Sequence, residues 1–175
     1  MASPLLPFGS TRKKKRTYFP KRIEIELTNL CNLQCVMCPR SWREEPQGYM
    51  DAGLLDKILS ESLEYSGITY SFHGLGEPLL YPDFFTTIER VKKTNNSIYL
   101  STNGHLLNHD RVSQIIDHGV DTLNISVAAA NASTYQAVRQ SKKFSRVVDN
   151  TRHAIEQIQR RRSPTQVIVQ IIETK

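Results

Sequence analysis

The feature that most constrains this chain is a short stretch that holds all of its cysteines. Cys31, Cys35 and Cys38 are spaced C-x-x-x-C-x-x-C, directly after an alternating apolar run. A closed structural zinc site needs four ligands, and the sequence contains no fourth cysteine. Three thiolates this close together suit a centre with an open position, such as a cubane iron–sulfur cluster whose fourth iron stays free to bind a small molecule.

The cysteine spacing resembles the signature of the radical S-adenosylmethionine (radical SAM) superfamily. The resemblance implies that Cys31, Cys35 and Cys38 hold a 4Fe–4S cluster, and that the amino and carboxylate groups of SAM chelate the open iron. The residue before the last cysteine usually packs near the adenine in this family and is often aromatic. Here it is Met37, which keeps the apolar contact without the ring.

The composition is that of one ordinary globular domain. The 175 residues are 39% hydrophobic and 23% charged, and no apolar run approaches the roughly 20 residues of a membrane span. Prolines and a basic block predict a flexible leader over residues 1–20, with the folded core over 21–175. Because the cysteines form no disulfide framework and such clusters are oxygen-labile, we predict a cytoplasmic protein without membrane association.

The net charge of +6 is a weak indication of a nucleic-acid partner. The basic residues concentrate in two short runs, over residues 12–16 and 160–162. Such runs are usually solvated termini or helix ends, so nucleic-acid binding is disfavoured.

Strands and helices alternate along the rest of the chain. Alternating or β-branched apolar runs predict five strands, over residues 23–27, 68–72, 98–101, 120–127 and 166–172. In the first strand Glu24 and Glu26 form an acidic face, which either lines a polar cavity or is the wet face of an edge strand. This alternation predicts parallel strands joined by crossovers, an α/β fold of barrel type.

Apolar residues at helical spacing predict the connecting helices. Asp51 and Asp83 are positioned to cap the first two. The residues at this spacing are Leu54, Leu55, Ile58, Leu59 and Leu63; Phe84, Phe85, Ile88 and Val91, which are expected to face inward; Val112, Ile115 and Ile116; and Phe144, Val147, Val148, Thr151, Ile155 and Ile158, which form one stripe. A short helical piece is expected over 135–139.

A loop that carries candidate functional residues follows the second strand. Its sequence is Gly74-Leu75-Gly76-Glu77-Pro78. The glycines allow close backbone approach, Glu77 can accept a hydrogen bond from an ammonium group, and Pro78 stiffens the exit. The loop resembles the G-x-G-E-P variant of the family's glycine-glycine-glutamate motif. The resemblance implies that Gly74, Gly76, Glu77 and Pro78 sit against the amino group of SAM.

Later strands end in further candidate residues. Thr102-Asn103-Gly104 resembles the T-N-G that this family commonly has after its third strand. Ser126 matches a serine that reaches the ribose of SAM, whereas Ala128 stands where the family usually has an aspartate. Arg139 resembles the arginine with which some members hold the SAM carboxylate.

All four motifs fall at the carboxyl ends of successive strands, where barrel enzymes place their chemistry. The resemblance implies a partial (β/α) barrel, a partial TIM barrel of the radical SAM type. Because that core has six βα units and the resemblance runs from about Arg22 to the last residue, we expect the sixth unit to be missing.

The resemblance also implies the reaction. SAM would be cleaved reductively to methionine and a 5′-deoxyadenosyl radical that abstracts hydrogen from a substrate, with an electron donor such as flavodoxin or ferredoxin. The segments 39–41 and 48–51 resemble members of the SPASM-like subgroup, which modify peptides or proteins. The alternative is a cluster-binding electron carrier, or an inactive fragment of such an enzyme.

Overall fold

The computed structural model describes residues 18–172, and in them one sheet of five parallel strands. The strands are β1 (Arg22–Ile25), β2 (Thr69–Phe72), β3 (Ser97–Thr102), β4 (Thr122–Ala128) and β5 (Gln166–Ile171). They pair in chain order, so β1 and β5 are the two edges and the described sheet is not closed. This arrangement confirms the predicted α/β fold with a parallel, partial barrel.

Each strand except β5 is followed by at least one helix. The α-helices are α1 (Ala52–Ser62), α2 (Phe84–Lys92), α3 (His109–Asp117), α4 (Ala132–Arg139) and α5 (Phe144–Arg160), and two short 3₁₀ turns span Pro39–Trp42 and Pro78–Leu80. Every predicted helix is therefore present. The longest one, α5, buries Val147, Thr151, Ala154 and Ile158 on one side.

The starts of the first two helices differ in how they are capped. Asp51 accepts a hydrogen bond from the Leu54 amide at 2.9 Å, as predicted. Asp83 occupies the N-cap position of α2, but its side chain accepts no capping hydrogen bond, so that part of the prediction is wrong. Leu54 follows the helical spacing of α1 but does not face the core. Its side chain is exposed because the buried stripe of α1 runs along Leu55 and Leu59, four residues apart.

The two faces of the sheet have opposite character, because successive side chains of a strand point to opposite sides. On the outer face, apolar side chains pack with the helices into one core; they include Tyr70, Phe72, Ile98, Leu100, Leu123 and Ile125, all 0% exposed. On the inner face the register brings polar side chains side by side, among them Glu24, Ser71, Tyr99, Ser101 and Asn124. The core therefore lies under the helices, and a polar surface lines the inside of the barrel.

The two acidic residues of the first strand region have separate roles. Glu24 lies on edge strand β1, is mostly exposed, and contacts His73 at 3.3 Å and Arg22 at 3.5 Å. Glu26 instead accepts a hydrogen bond from the Leu75 amide at 2.5 Å. Glu24 thus fits the wet-edge alternative, while Glu26 supports the glycine loop.

Most of the predicted flexible leader, residues 1–17, lies outside the described residues. Phe19 falls inside that predicted leader, and its ring stacks on Tyr65 with the centroids 4.0 Å apart. The chain therefore contacts the core from at least Phe19 onward. Over residues 18–172, no helix has the length and apolar character needed to cross a membrane.

Candidate cofactor site

A cavity of about 320 Å³ lies at the carboxyl ends of the strands. It brings together the predicted site residues, of which the following line its wall: Cys31, Cys35, Met37, Cys38, Gly74, Gly76, Glu77, Thr102, Asn103, Ser126 and Arg139. Pro78 does not line the cavity. It is buried beneath it, at the start of the 3₁₀ turn that follows Glu77.

The loop that carries the three cysteines is fixed to the end of α4. The Val36 amide donates a hydrogen bond to the Val138 carbonyl at 3.0 Å, and Arg139 Nη1 lies 3.2 Å from Cys35 Sγ. Cys35 is buried, whereas Cys31 and Cys38 are partly exposed. Burial raises the pKa of the Cys31 thiol above its ordinary value. All three thiols nevertheless border the same cavity.

The donor set fits a cluster better than a single metal ion. Within residues 18–172, no three His, Cys, Asp or Glu side chains stand close enough together to hold one ion. A cubane is larger than an ion, and each of its thiolate ligands binds a different iron, so its ligands are spread further apart. Three cysteines around a cavity of this size are consistent with that spacing.

The glycine loop packs directly on the backbone of the cysteine loop. A Cβ on Gly76 would lie 1.9 Å from the Thr28 carbonyl oxygen and 2.8 Å from that of Leu30, so only glycine fits there. The next amide, that of Glu77, donates to the Leu30 carbonyl at 2.8 Å. Gly76 is therefore required for the contact between the two loops.

Glu77 connects the glycine loop to the end of β3. Its Oε1 accepts hydrogen bonds from the Thr102 hydroxyl at 2.7 Å and from the Leu79 amide at 3.3 Å, and its Oε2 accepts one from the Asn103 amide at 2.8 Å. The residue is 2% exposed, and burial raises the pKa of its carboxyl group although these hydrogen bonds oppose the rise. Both oxygens thus have partners within the protein, and the predicted contact with the SAM ammonium stays a prediction.

Asn103 connects the end of β3 to the cysteine loop. Its Nδ2 donates to Asn32 Oδ1 at 2.7 Å and lies 3.8 Å from Cys31 Sγ, while its Oδ1 accepts from the His105 amide at 3.0 Å. The His105 ring in turn contacts the Tyr135 hydroxyl at 2.6 Å. Burial lowers the pKa of His105 to about 4 and raises that of Tyr135 to about 12.

Sequence reasoning missed Asn32, His105 and Tyr135. Asn32 lies within the cysteine motif and His105 lies two residues beyond Asn103, so nearness to a motif was the available signal. No residue spacing indicates that Tyr135, on α4, reaches His105.

Arg139 is a buried positive charge at the cavity, which Arg40 also lines. Its Nη2 donates to the Ser126 carbonyl at 2.5 Å and to the Ser126 hydroxyl at 2.7 Å. The residue is 9% exposed, and its Nε is buried without a hydrogen-bond partner among the residues that the structure describes. A buried donor without a partner is costly unless a ligand satisfies it.

Ala128 marks an irregularity at the end of β4. The register with β5 shifts between Ser126 and Ala128, and Ala128 has a φ of 69°. Asp and Asn adopt this left-handed conformation more readily than Ala does. The backbone therefore keeps a shape that suits the aspartate expected here, although the carboxylate is absent.

Comparison with known proteins identifies the class of this fold and site. The model of the Radical SAM superfamily matches residues 25–172, and the chain belongs to this family of enzymes. The predicted family is thus confirmed, and with it the cofactors that the family uses, a 4Fe–4S cluster and SAM. The roles of individual residues stay predictions.

Two curated relatives show what kinds of protein the chain is similar to. It is 34% identical over 108 residues to the tungsten-containing aldehyde ferredoxin oxidoreductase cofactor-modifying protein of Pyrococcus furiosus, an alignment that covers 61% of this chain and 30% of the relative. It is 32% identical over 138 residues to a probable GTP 3′,8-cyclase of Methanococcus maripaludis, covering 78% of this chain and 46% of the relative. The chain therefore spans less than half the length of these two relatives.

Solved structures support the same fold. SuiB of Streptococcus suis, bound to S-adenosylmethionine, matches with a TM-score of 0.70 at 16% identity, over 89% of this chain and 35% of that one. BtrN, in complex with AdoMet and 2-DOIA, matches with a TM-score of 0.63 at 24% identity, over 87% of this chain and 57% of that one.

Proposed function

We propose that this chain forms the cofactor-binding core of a radical SAM enzyme that cleaves SAM reductively to a 5′-deoxyadenosyl radical. The observation that carries the proposal is the convergence of the three cysteines and Arg139 on one cavity. The cavity thus combines three candidate cluster ligands with a guanidinium whose buried Nε has no hydrogen-bond partner among the described residues.

In this proposal Cys31, Cys35 and Cys38 hold the cluster. Arg139, which lines the cavity, is assigned to the SAM carboxylate, since a charged donor pairs most strongly with an anion. The rest of the SAM site is assigned from the family resemblance: the loop Gly74, Gly76, Glu77 and Pro78 for the ammonium group, Ser126 for the ribose, and Met37 for the adenine. Thr102 and Asn103 are included because they match the T-N-G that the family commonly has after its third strand.

The cluster and SAM would supply the radical chemistry, and the protein provides binding, orientation and exclusion of water. Two groups of this chain are suited to orientation. Glu77 joins the glycine loop to β3, and Asn103 joins β3 to the cysteine loop. Together they keep the loops around the cavity in one arrangement.

We propose a polar substrate, of which a peptide or protein is the candidate that the fold neighbours favour. SuiB has been solved with the precursor peptide SuiA, and anSMEcpe with AdoMet and the Cp18Cys peptide. The inner face of the sheet offers polar side chains to the cavity, such as Ser101, which accepts a hydrogen bond from Asn124 at 3.0 Å. We further propose that the enzyme is of the SPASM-like subgroup, that it acts in the cytoplasm, and that flavodoxin or ferredoxin reduces it.

The test is anaerobic reconstitution followed by assays of iron and of 5′-deoxyadenosine. Cys35→Ala should lose the brown absorbance and most of the iron, because one of three ligands is gone. Val36→Ala is the matched control, since Val36 lies next to Cys35 with an exposed side chain, and it should keep both.

The same assays separate the enzyme from the alternative of an electron carrier or inactive fragment. A reduced, cluster-loaded parent protein that releases no 5′-deoxyadenosine from SAM would establish the alternative. Equal iron in Cys35→Ala and the parent would refute the cluster assignment itself.

A further inference from the structure

We propose that a groove on the outer side of the cysteine loop is the docking site for a small acidic one-electron carrier. The groove has a volume of about 460 Å³ and lies between the cysteine loop and the connection from α4 to α5. Cys31 and Asn32 line one side, and Gln140, Lys142 and Lys143 line the other. The inference rests on the proposed function, because it concerns how the cluster receives its electron.

Cys31 connects this groove with the cofactor cavity. It borders both spaces, whereas Lys142 and Lys143 border the groove and not the cavity. A carrier in the groove would therefore stand next to a cluster ligand without entering the space assigned to SAM. This separation allows SAM and the carrier to be bound at the same time.

The groove is positively charged. No acidic side chain lines it, and Lys142 and Lys143 are exposed and form no ion pair within the described part of the chain. Arg146, on the first turn of α5, is also exposed. The charges of Arg146 and Lys143 add to the effect of burial in lowering the pKa of His105, which lines the same groove. A concentration of one sign of charge attracts and orients a partner of the opposite sign.

A second opening beside the cysteine loop is less suited to this role. It is lined by Cys35 and Cys38 together with Arg40 and Arg43. There Arg43 is paired with Glu45 at 3.7 Å, and Arg40 keeps its charge but its guanidinium is held against the Leu33 carbonyl at 2.6 Å. The unpaired charges of Lys142 and Lys143 therefore favour the first groove.

At this site the carrier would transfer one electron to the cluster. The carrier is oxidised by one electron and the cluster is reduced by one, from its 2+ to its 1+ state, and no proton or covalent bond changes. A reduced flavodoxin or ferredoxin supplies that electron.

The test compares the parent protein with the double variant Lys142→Glu, Lys143→Glu, using an acidic flavodoxin as the probe. The matched control is Lys57→Glu, Arg160→Glu, which changes the net charge equally at two exposed residues outside the groove. Binding is measured with the cluster-loaded proteins by biolayer interferometry. The rate of cluster reduction is measured by stopped-flow absorbance, and circular dichroism checks the fold.

We expect the groove variant to lose about tenfold or more in affinity and in bimolecular reduction rate at low ionic strength, and the control to lose much less. The difference should vanish at about 1 M salt, where charges are screened beyond about 3 Å. Dithionite, a small reductant, should reduce all three proteins at similar rates.

Equal loss in both variants, or none in either, would overturn the docking site. The same holds if the parent binds a short RNA duplex at this groove and does not bind flavodoxin. Failure of dithionite to reduce any cluster in the parent would instead count against the proposed function, so the two ideas fail in different ways.

Discussion

The outer and inner faces of the sheet are built from the same strands, yet they have different roles. Leu100 and Ser101 are neighbours on β3; Leu100 is 0% exposed under the helices, while Ser101 borders the cavity and contacts Asn124 at 3.0 Å. The outer face excludes water and stabilises the fold. The inner face keeps polar groups beside an open space, where they are available to ligands.

Strand alternation places the residues that stabilise the fold and the residues that line the cavity on opposite faces of the sheet. Because the side-chain period of a strand is two, the chain can place a core residue and a site residue at consecutive positions. The two faces meet at the ends of the strands, where Glu77, Asn103 and His105 are buried but polar. Substitutions on the outer face, at this meeting point and on the inner face should therefore have graded effects.

The largest effect is expected for Leu100→Ala. Truncating a fully buried leucine should lower the free energy of unfolding by about 2–5 kcal/mol, because it removes apolar burial and leaves a cavity. Ser101→Ala is the matched control on the opposite face and should cost about 1 kcal/mol, the value of one hydrogen bond. Urea unfolding monitored by circular dichroism measures both. Equal losses would show that the faces do not differ as described.

The next effect concerns the pH dependence caused by His105. Its pKa is lowered from 6.5 to about 4, so the unfolded chain binds more protons and stability falls as the pH drops from 6.5 towards 4. The decrease in the free energy of unfolding that is attributable to His105 is at most about 3 kcal/mol. His105→Gln cannot titrate in this range, so its unfolding free energy should change less between pH 7 and pH 4.5. Parallel curves for variant and parent would contradict the assignment.

A smaller effect is expected for Glu77→Gln at the meeting point of the loops. The new amide nitrogen would face a backbone donor, either the Asn103 amide or the Leu79 amide, and about 1–3 kcal/mol of stability should be lost. Glu24→Gln, on the exposed edge, is the control and should be close to neutral.

The same variant tests the predicted contact of Glu77 with SAM. Calorimetry on the cluster-loaded protein should give weaker SAM binding for Glu77→Gln with an unchanged iron content. Unchanged affinity together with lost stability would leave Glu77 as a connection between loops only.

Strand and helix positions could be predicted because their signals are local. The second strand was expected over 68–72 and spans Thr69–Phe72, and the fifth was expected over 166–172 and spans Gln166–Ile171. Boundaries were less accurate where the chain leaves the sheet: the first strand ends at Ile25, two residues earlier than expected. The orientation of Leu54 could not be read from spacing, because a helix of this pattern can turn either stripe to the core.

For the site, the sequence predicted which residues line the cavity, but it did not predict their hydrogen-bond partners. The cysteine spacing and the glycine loop predicted which residues would meet at one edge of the sheet, and the cavity contains them. The sequence did not indicate that both oxygens of Glu77 accept hydrogen bonds from β3 and its own loop, nor that Asn103 reaches Asn32. The contacts of Glu77 with Thr102 and of Asn103 with Asn32 join residues 25 and 71 positions apart, and no local pattern encodes them.

The sequence by itself determined the family, the alternation of strands and helices, and eleven of the residues that line the cavity, because each follows from a spacing within a few residues. Only the tertiary structure decided that Gly76 fits against the Thr28 carbonyl, that Arg139 places its Nη1 beside Cys35, and that Lys142 and Lys143 face a groove bordered by Cys31. These depend on how distant segments pack, since burial and the available partners set the charge and hydrogen bonding of each group.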